Sequence, residues 1–190
     1  MLLYHGSSIG NLQTLQPFIA DHGKPYVYFS TNETAACFHA VNIVERPYYW
    51  YPYGYDPGGK IVYTELYPGA FEEAYAGKRG YLYTCDLPEE TLLRFPSNPN
   101  ARLSAAAVPV AQAEEIEDLF EWFLSREREG KLIVQRYDSL TPEVQSCWYG
   151  KVLEDLREAG GGNRADAFSV FVRKKMPSVW ARFEAETKSL

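Results

Sequence analysis

Short apolar runs separated by turn-forming residues dominate the first two thirds of the chain. Runs rich in β-branched and aromatic residues, bounded by glycine, proline and small polar residues, predict strands. They cover residues 2–5, 26–30, 60–65, 80–87, 105–112 and 131–137. Residues 88–103 contain three prolines and predict a connecting loop.

Apolar residues spaced three and four positions apart indicate helices elsewhere. Thr31 or Asn32 is a predicted N-cap, and the helix after it is expected to run to about residue 44. Further helices are expected over 69–76, from residue 116 to Gly130, from residue 142 to the triple glycine at 160–162, and after Pro177. Strands come first and helices later, which predicts an α+β protein with a helical C-terminal extension.

Length and composition fit a globular protein of ordinary make-up. The chain has 190 residues, of which 46% are hydrophobic and 23% charged. A net charge of −6 argues against bulk attraction to nucleic acid or to an anionic membrane. The three cysteines and three histidines are scattered, which predicts neither a disulfide framework nor a metal site. The chain lacks a run of ~20 apolar residues and a leader-like start, so we expect a cytoplasmic protein without a membrane partner.

Tyrosine is concentrated in one part of the chain. Ten of the fifteen tyrosines lie between Tyr48 and Tyr83, and residues 47–59 combine aromatic rings with proline and glycine. This segment is too rich in proline and glycine for a regular helix or a central strand. Two interpretations stay open: a surface excursion whose rings pack on the core, or an aromatic-lined loop that binds a planar ligand or a partner.

Candidate chemistry is concentrated near the N-terminus. The chain has no nucleophile elbow, no His-Glu-x-x-His and no dinucleotide-binding glycine fingerprint. It does have Tyr4-His5-Gly6-Ser7 at the end of a predicted strand, Val27-Tyr28-Phe29-Ser30 in the next major strand, and Ala35 to Ala40 in the helix that follows. These segments, in this order, resemble the first two motifs of the ADP-ribosyltransferase superfamily. The resemblance is closest to the short bacterial members and the PARP-type group. Residues 80–87 look like the family's next strand, and residues 95–102 are loosely similar to a loop of rifamycin-modifying members.

The resemblance implies an ADP-ribosyltransferase-like fold over residues 1–140, with a split, mainly antiparallel sheet and flanking helices, followed by a helical extension over 141–190. It implies NAD as substrate and no metal. In this family pattern the Gly6 backbone would hold the nicotinamide carboxamide, His5 a ribose hydroxyl, and Tyr28 the nicotinamide ring. The implied NAD-binding residues are His5, Gly6, Ser7, Tyr28, Phe29 and Ser30, with Phe38 or His39 facing the ring from the helix.

The family also supplies an acidic residue late in the sheet, which stabilises positive charge in the transition state. Here the candidates are Glu115, Glu90 and Glu65, and Gln135 stands in the last predicted strand where some members have Glu. With His5 and Tyr28, Glu115 and Glu90 complete the predicted catalytic set.

The resemblance thus predicts a mono-ADP-ribosyltransferase that moves ADP-ribose from NAD to an unidentified acceptor and releases nicotinamide. Residues 47–59 and 88–103 are the expected places of acceptor recognition. One alternative is a non-catalytic module that binds NAD, ADP-ribose or a protein. Another is RNA 2′-phosphate transfer to NAD, which needs an arginine-lined pocket that the scattered arginines do not predict.

Overall fold

The structure is a computed structural model that describes residues 1–19, 23–50, 52–95, 98–159 and 166–187. The triple glycine at 160–162, where a helix was expected to end, lies outside the described residues.

The main sheet of the described residues is antiparallel throughout and follows the order β11-β7-β1-β4-β9-β8, with β3 paired to β4. Its strands are β1 (Leu2–Ser7), β3 (Phe18–Ile19), β4 (Pro25–Ser30), β7 (Gly80–Asp86), β8 (Leu93–Phe95), β9 (Asn98–Ser104) and β11 (Gln112–Ile116). β1 lies in the middle of this sheet, so the two predicted motif strands are neighbours.

Two smaller sheets complete the β structure that is described. The strands β5 (Tyr53–Tyr55), β6 (Ile61–Thr64) and β12 (Leu132–Gln135) form one of them, in which β6 pairs with β12 in parallel and with β5 antiparallel. The short strands β2 (Thr14–Leu15) and β10 (Val108–Pro109) form the other. The tyrosine-rich segment therefore supplies an edge strand, consistent with its proline and glycine content.

The longer helices lie mostly in the second half of the chain. They are α1 (Glu33–Cys37), α2 (Ala70–Tyr75), α3 (Leu119–Arg128), α4 (Pro142–Cys147), α5 (Tyr149–Glu158), α6 (Ala167–Lys175) and α7 (Pro177–Thr187). Single 3₁₀ turns occur at Ile43–Glu45, Glu89–Thr91 and Tyr137–Ser139. Gly77 and Gly130 adopt left-handed conformations after α2 and α3, which is how glycine commonly ends a helix.

Three apolar clusters form the core of the described part of the chain. One lies on the α1 side of the main sheet and holds Phe38, Tyr63, Phe71, Tyr75 and Phe123, together with residues of β6, β7 and β12. A second covers the other face of the main sheet, beneath β2 and β10. The third joins α5, α6 and α7 to the segment that follows β6. The C-terminal helices are thus attached through buried side chains.

The helix α1 is shorter than predicted. Its N-cap is Asn32, whose side chain accepts from the amides of Thr34 (2.9 Å) and Ala35 (3.3 Å). It ends at Cys37 rather than near residue 44. A second capping residue, Asn42, accepts from the Val44 amide (3.1 Å) and begins a separate 3₁₀ turn. Asparagine side chains that bond the backbone in this way compete with helix continuation.

Two other predicted elements were wrong. Residues 88–103 contain β8 and β9 instead of only a loop, because Pro99 lies outside the ladder that β9 forms with β4 from Ala101 to Ser104. The strand expected at 105–112 is divided between β10 and β11. β11 is a polar edge strand, and polar edges lack the apolar alternation by which strands are recognised.

The described fold is therefore α+β with a mainly antiparallel main sheet and several helices, as the order of predicted elements indicated. The helices of these segments are too short or too polar for any of them to span a lipid bilayer.

Candidate functional site

The strands β1 and β4 stay paired at only one position. β1 pairs with β7 along all six of its residues, but with β4 it pairs only at Tyr4 and Ser30. The Met1 carbonyl accepts from the Leu87 amide on the β7 side, and the direction of the backbone N–H and C=O groups alternates from residue to residue along a strand. The N–H and C=O of Gly6 accordingly face β4, in the part where the regular ladder has stopped. We call this part the β1–β4 opening.

The helix α1 covers Gly6 closely. A Cβ built on Gly6 would lie 2.0 Å from the carbonyl oxygen of Ala36 and 3.1 Å from the amide nitrogen of Ala40. Real Cβ atoms do not approach backbone atoms this closely, so only glycine fits at position 6. The end of α1 is therefore held directly against the β1–β4 opening.

His5 bridges the diverging strands with its side chain. Its Nδ1 lies 2.8 Å from the Tyr28 carbonyl oxygen. A carbonyl can only accept, so Nδ1 carries the proton and Nε2 of the neutral ring keeps its lone pair. Burial lowers the pKa of His5, and the Tyr28 carbonyl opposes this only in part. Near neutral pH, His5 is a neutral ring with one acceptor atom to offer.

His39 lies immediately after the end of α1. Its ring is accessible to water, yet it is surrounded closely enough that burial lowers its pKa to about 4, with smaller contributions from His5 and Arg46. Its Nε2 lies 3.4 Å from the Tyr53 hydroxyl, and its ring meets the Trp50 ring edge-on at 5.5 Å. Solvent therefore reaches His39, although aromatic neighbours surround it closely.

Phe38, the other residue considered for the ring contact, belongs to the core. It is fully buried and stacks between Tyr53 (4.8 Å) and Phe123 (4.7 Å). Phe29 is also buried, in the cluster on the opposite face of the sheet. Of these two residues, which follow the end of α1, His39 is therefore the one that a solvent-borne ligand can reach.

Tyr28 belongs to a group of aromatic rings on β4 and its neighbour β3. Its ring lies 5.6 Å from that of Phe18 and 6.4 Å from that of Tyr26. Phe18 is half exposed. These rings give the β4 side of the opening an apolar surface that suits a planar ligand.

A polar link ties the end of β4 to β9. Thr31 donates from its backbone amide to the Asn100 carbonyl (2.9 Å) and from its hydroxyl to the Asn100 side chain (3.1 Å). Burial raises the pKa of Tyr55, and the neighbouring Asn100 side chain partly offsets this. Asn100 thus stands between β4 and β5. The sequence did not single it out, because residues 88–103 were expected to be irregular.

The two serines of the motifs take part in local turns. The hydroxyl of Ser7 accepts from the amide of Ile9 (3.1 Å), and that of Ser30 accepts from the amide of Asn32 (3.0 Å). Both turns direct the chain away from the strand ends that flank the opening.

The candidate acidic residues are not gathered around His5. Glu115 lies on β11, two strands from β1 and so about 10 Å across the sheet, and it pairs with Arg79 at the surface (3.1 Å). Glu90 is exposed and follows the end of β7 that pairs with Leu2, at the other end of β1 from Gly6.

Glu65 and Gln135 lie together in the sheet that contains β5, β6 and β12. Glu65 is 5% exposed and accepts from the amides of Phe71 (3.1 Å) and Tyr137 (2.9 Å). Gln135 accepts from the Thr64 hydroxyl (2.8 Å). The Glu65 carboxylate thus accepts from backbone amides of α2 and of the 3₁₀ turn that begins at Tyr137. In the described segments, no three His, Cys, Asp or Glu side chains are grouped so that they could hold a metal ion.

The tyrosine-rich segment combines both expected roles. Tyr49 and Trp50 pack inward, and the Tyr49 hydroxyl donates to Asp155 of α5 (2.5 Å). Tyr53 and Tyr55 form β5, which stands across from His39 and Asn100. The number of tyrosines drew attention to this segment, but only the fold shows which rings face His39 and Asn100.

Comparison with known proteins found no matching family model, no similar curated protein and no similar solved structure.

Proposed function

We propose that this protein binds NAD in the β1–β4 opening through the nicotinamide and its adjoining ribose, and transfers ADP-ribose to an acceptor. One observation carries the proposal: the Gly6 backbone faces an interrupted ladder, with His5 beside it and Tyr28 across the opening. The resemblance of the same residues to ADP-ribosyltransferase motifs adds to it.

The Gly6 edge offers one donor and one acceptor in the same direction. A carboxamide carries the complementary pair, an NH₂ group and a carbonyl oxygen, in one plane. The nicotinamide ring would then lie against Tyr28, with His39 on the side of α1. This arrangement needs a planar heteroaromatic amide, which is the chemistry of nicotinamide.

His5 would accept a hydrogen bond at Nε2 from a ribose hydroxyl, because its Nδ1 is already committed to Tyr28. Holding the sugar in place lowers the entropic cost of reaching the transition state. The glycosidic C–N bond breaks, its electron pair leaves with neutral nicotinamide, and the acceptor's nucleophile bonds to the anomeric carbon and loses a proton to solvent.

A second candidate is binding of NAD or ADP-ribose without turnover. The position of the glutamates favours it. Glu115 and Glu90 stand away from His5, and Glu65 is buried and hydrogen-bonded to two amides. A site without a nearby carboxylate lacks a group that stabilises the developing positive charge.

Calorimetric titration with NAD, followed by chromatography for free nicotinamide, tests both candidates. We expect saturable binding that weakens about tenfold or more in Tyr28→Ala, because a ring contact is lost. Tyr48→Ala is the matched control, since Tyr48 is exposed and contacts Phe168 and Phe171 rather than the opening. It should bind NAD as the wild type does.

The nicotinamide measurement separates transfer from binding. Release by the wild type, lost in Glu115→Gln or Glu90→Gln, supports transfer. Saturable binding with no release over hours supports the binding module. Failure of the folded wild type to bind NAD rejects both candidates.

A further inference from the structure

A second recess lies beside Trp50. It is lined by Ile43, Val44, Arg46, Pro47, Tyr48 and Trp50 and has a volume of about 510 Å³. We call it the Arg46 recess. Volumes of roughly 300–1,000 Å³ are typical of small-molecule sites. Trp50 is shared between the two places, because its ring also meets that of His39.

Exposed apolar side chains form part of the wall of the Arg46 recess. Ile43 is 65% exposed and Val44 83%, although both belong to one 3₁₀ turn, and Tyr48 nearby is half exposed. Grouped exposed aliphatic and aromatic side chains are unfavourable in water and mark binding surfaces. A ligand for these walls needs an apolar body.

Among the described residues that line the recess, Arg46 is the charged one. Its guanidinium lies 4.4 Å from the centre of the Trp50 ring. In the described part of the chain, no carboxylate forms an ion pair with it. Stacking on an indole orients a guanidinium and leaves its edge N–H groups able to bind an anion.

We propose that the Arg46 recess binds a small amphipathic anion, an aromatic or alicyclic body that carries one carboxylate, sulfonate or phosphate. The apolar body would cover Ile43 and Val44, and the anionic group would pair with Arg46. Charge complementarity favours this occupant over a neutral lipid or a cationic ligand. The proposal does not depend on NAD binding.

Two fluorescent probes with related ring systems test it. Anilinonaphthalene sulfonate carries one negative charge, whereas N-phenyl-1-naphthylamine has the same rings without the sulfonate. We expect the anionic probe to bind the wild type saturably with one site. In Arg46→Gln its affinity should fall about tenfold, and that of the neutral probe should change little.

Matched variants exclude indirect effects. Arg79→Gln removes an exposed guanidinium on another surface and should leave both probes unaffected. Ile43→Ser should weaken both probes, because it removes apolar wall. Circular dichroism and thermal melting confirm that each variant is folded, so a loss of binding can be assigned to the recess.

Three results would overturn the proposal. The first is an anionic probe that binds Arg46→Gln as tightly as the wild type. The second is the absence of saturable binding to the wild type. The third is a doubled mass in size-exclusion chromatography that returns to the monomer value in Ile43→Ser, which would mean that a second copy of the chain covers the recess.

Discussion

The carbonyl oxygen of Ala36 occupies the place where a side chain at Gly6 would begin, 2.0 Å from the ideal Cβ position. The glycine of the first motif is thus required by packing, whatever it binds. The same contact holds the end of α1, and with it His39, beside the opening between β1 and β4. One residue therefore links the fold to the candidate site.

We predict that Gly6→Ala destabilises the protein. The new methyl group meets backbone of α1, which cannot rotate away as a side chain could, so helix and strand must separate. Overpacking of this kind costs typically 1–3 kcal/mol of the free energy of unfolding, and a backbone obstacle places it at the upper end. Urea unfolding followed by circular dichroism measures the loss.

Gly150→Ala is the matched control for that substitution. A Cβ at Gly150 meets nothing within 4 Å, and the residue lies in α5. Alanine should therefore raise the free energy of unfolding by a few tenths to about 1 kcal/mol. If Gly6→Ala were as stable as the wild type, the close approach of α1 to β1 would be incorrect.

The first motifs could be located from the sequence because their strands are buried and rich in β-forming residues. β1, β4, β7 and an N-cap at Thr31 or Asn32 follow from local pattern and capping chemistry, and the structure selects Asn32. The residues that these elements meet near the candidate site do not follow from local pattern. Asn100 and Tyr55 belong to different sheets and come together only in the folded chain, which leaves no periodic signal in either segment. Arg46 depends on where α1 ends, and the periodicity placed that end too late.

The glutamates offer a direct comparison between a structural and a surface carboxylate. Glu65→Gln should lower the free energy of unfolding by about 2 kcal/mol, because two buried amides share its carboxylate and a neutral amide satisfies them less well. Glu115→Gln should cost less than about 1 kcal/mol, since its pair with Arg79 is solvent-exposed. Chemical denaturation of both variants at pH 7 checks the difference, and equal losses would contradict it.

Acid should destabilise the protein through its two site histidines. The pKa of His39 is about 4 in the folded protein and that of His5 is also lowered, against an ordinary value of 6.5. Between pH 6.5 and pH 4 the unfolded chain therefore binds more protons than the folded chain. The free energy of unfolding decreases as the pH is lowered through this range. Above pH 7.5 neither histidine contributes.

His39→Gln isolates this effect. We expect the urea midpoint of the wild type to fall more steeply between pH 7 and pH 4.5 than that of the variant, because carboxylates titrate alike in both proteins and cancel in the comparison. Parallel curves for the two proteins would show that His39 titrates as it does in water, and so is not closely surrounded by its neighbours.

Cys37 reports on whether α1 stays closed over Gly6. Its side chain is fully buried at the end of α1. Burial, together with the carboxylates of Glu114 and Glu33, raises the pKa of its thiol well above the usual value. Because the thiolate is the reactive form, we predict that iodoacetamide does not label Cys37 in the native protein at pH 8 and labels it fully in urea. Cys147→Ser simplifies the peptide mapping by mass spectrometry, and Cys85, also buried, is the internal comparison. Labelling of Cys37 faster than that of Cys85 under native conditions would contradict the prediction. It would mean that α1 opens locally, and that His39 moves relative to Gly6 before any ligand arrives.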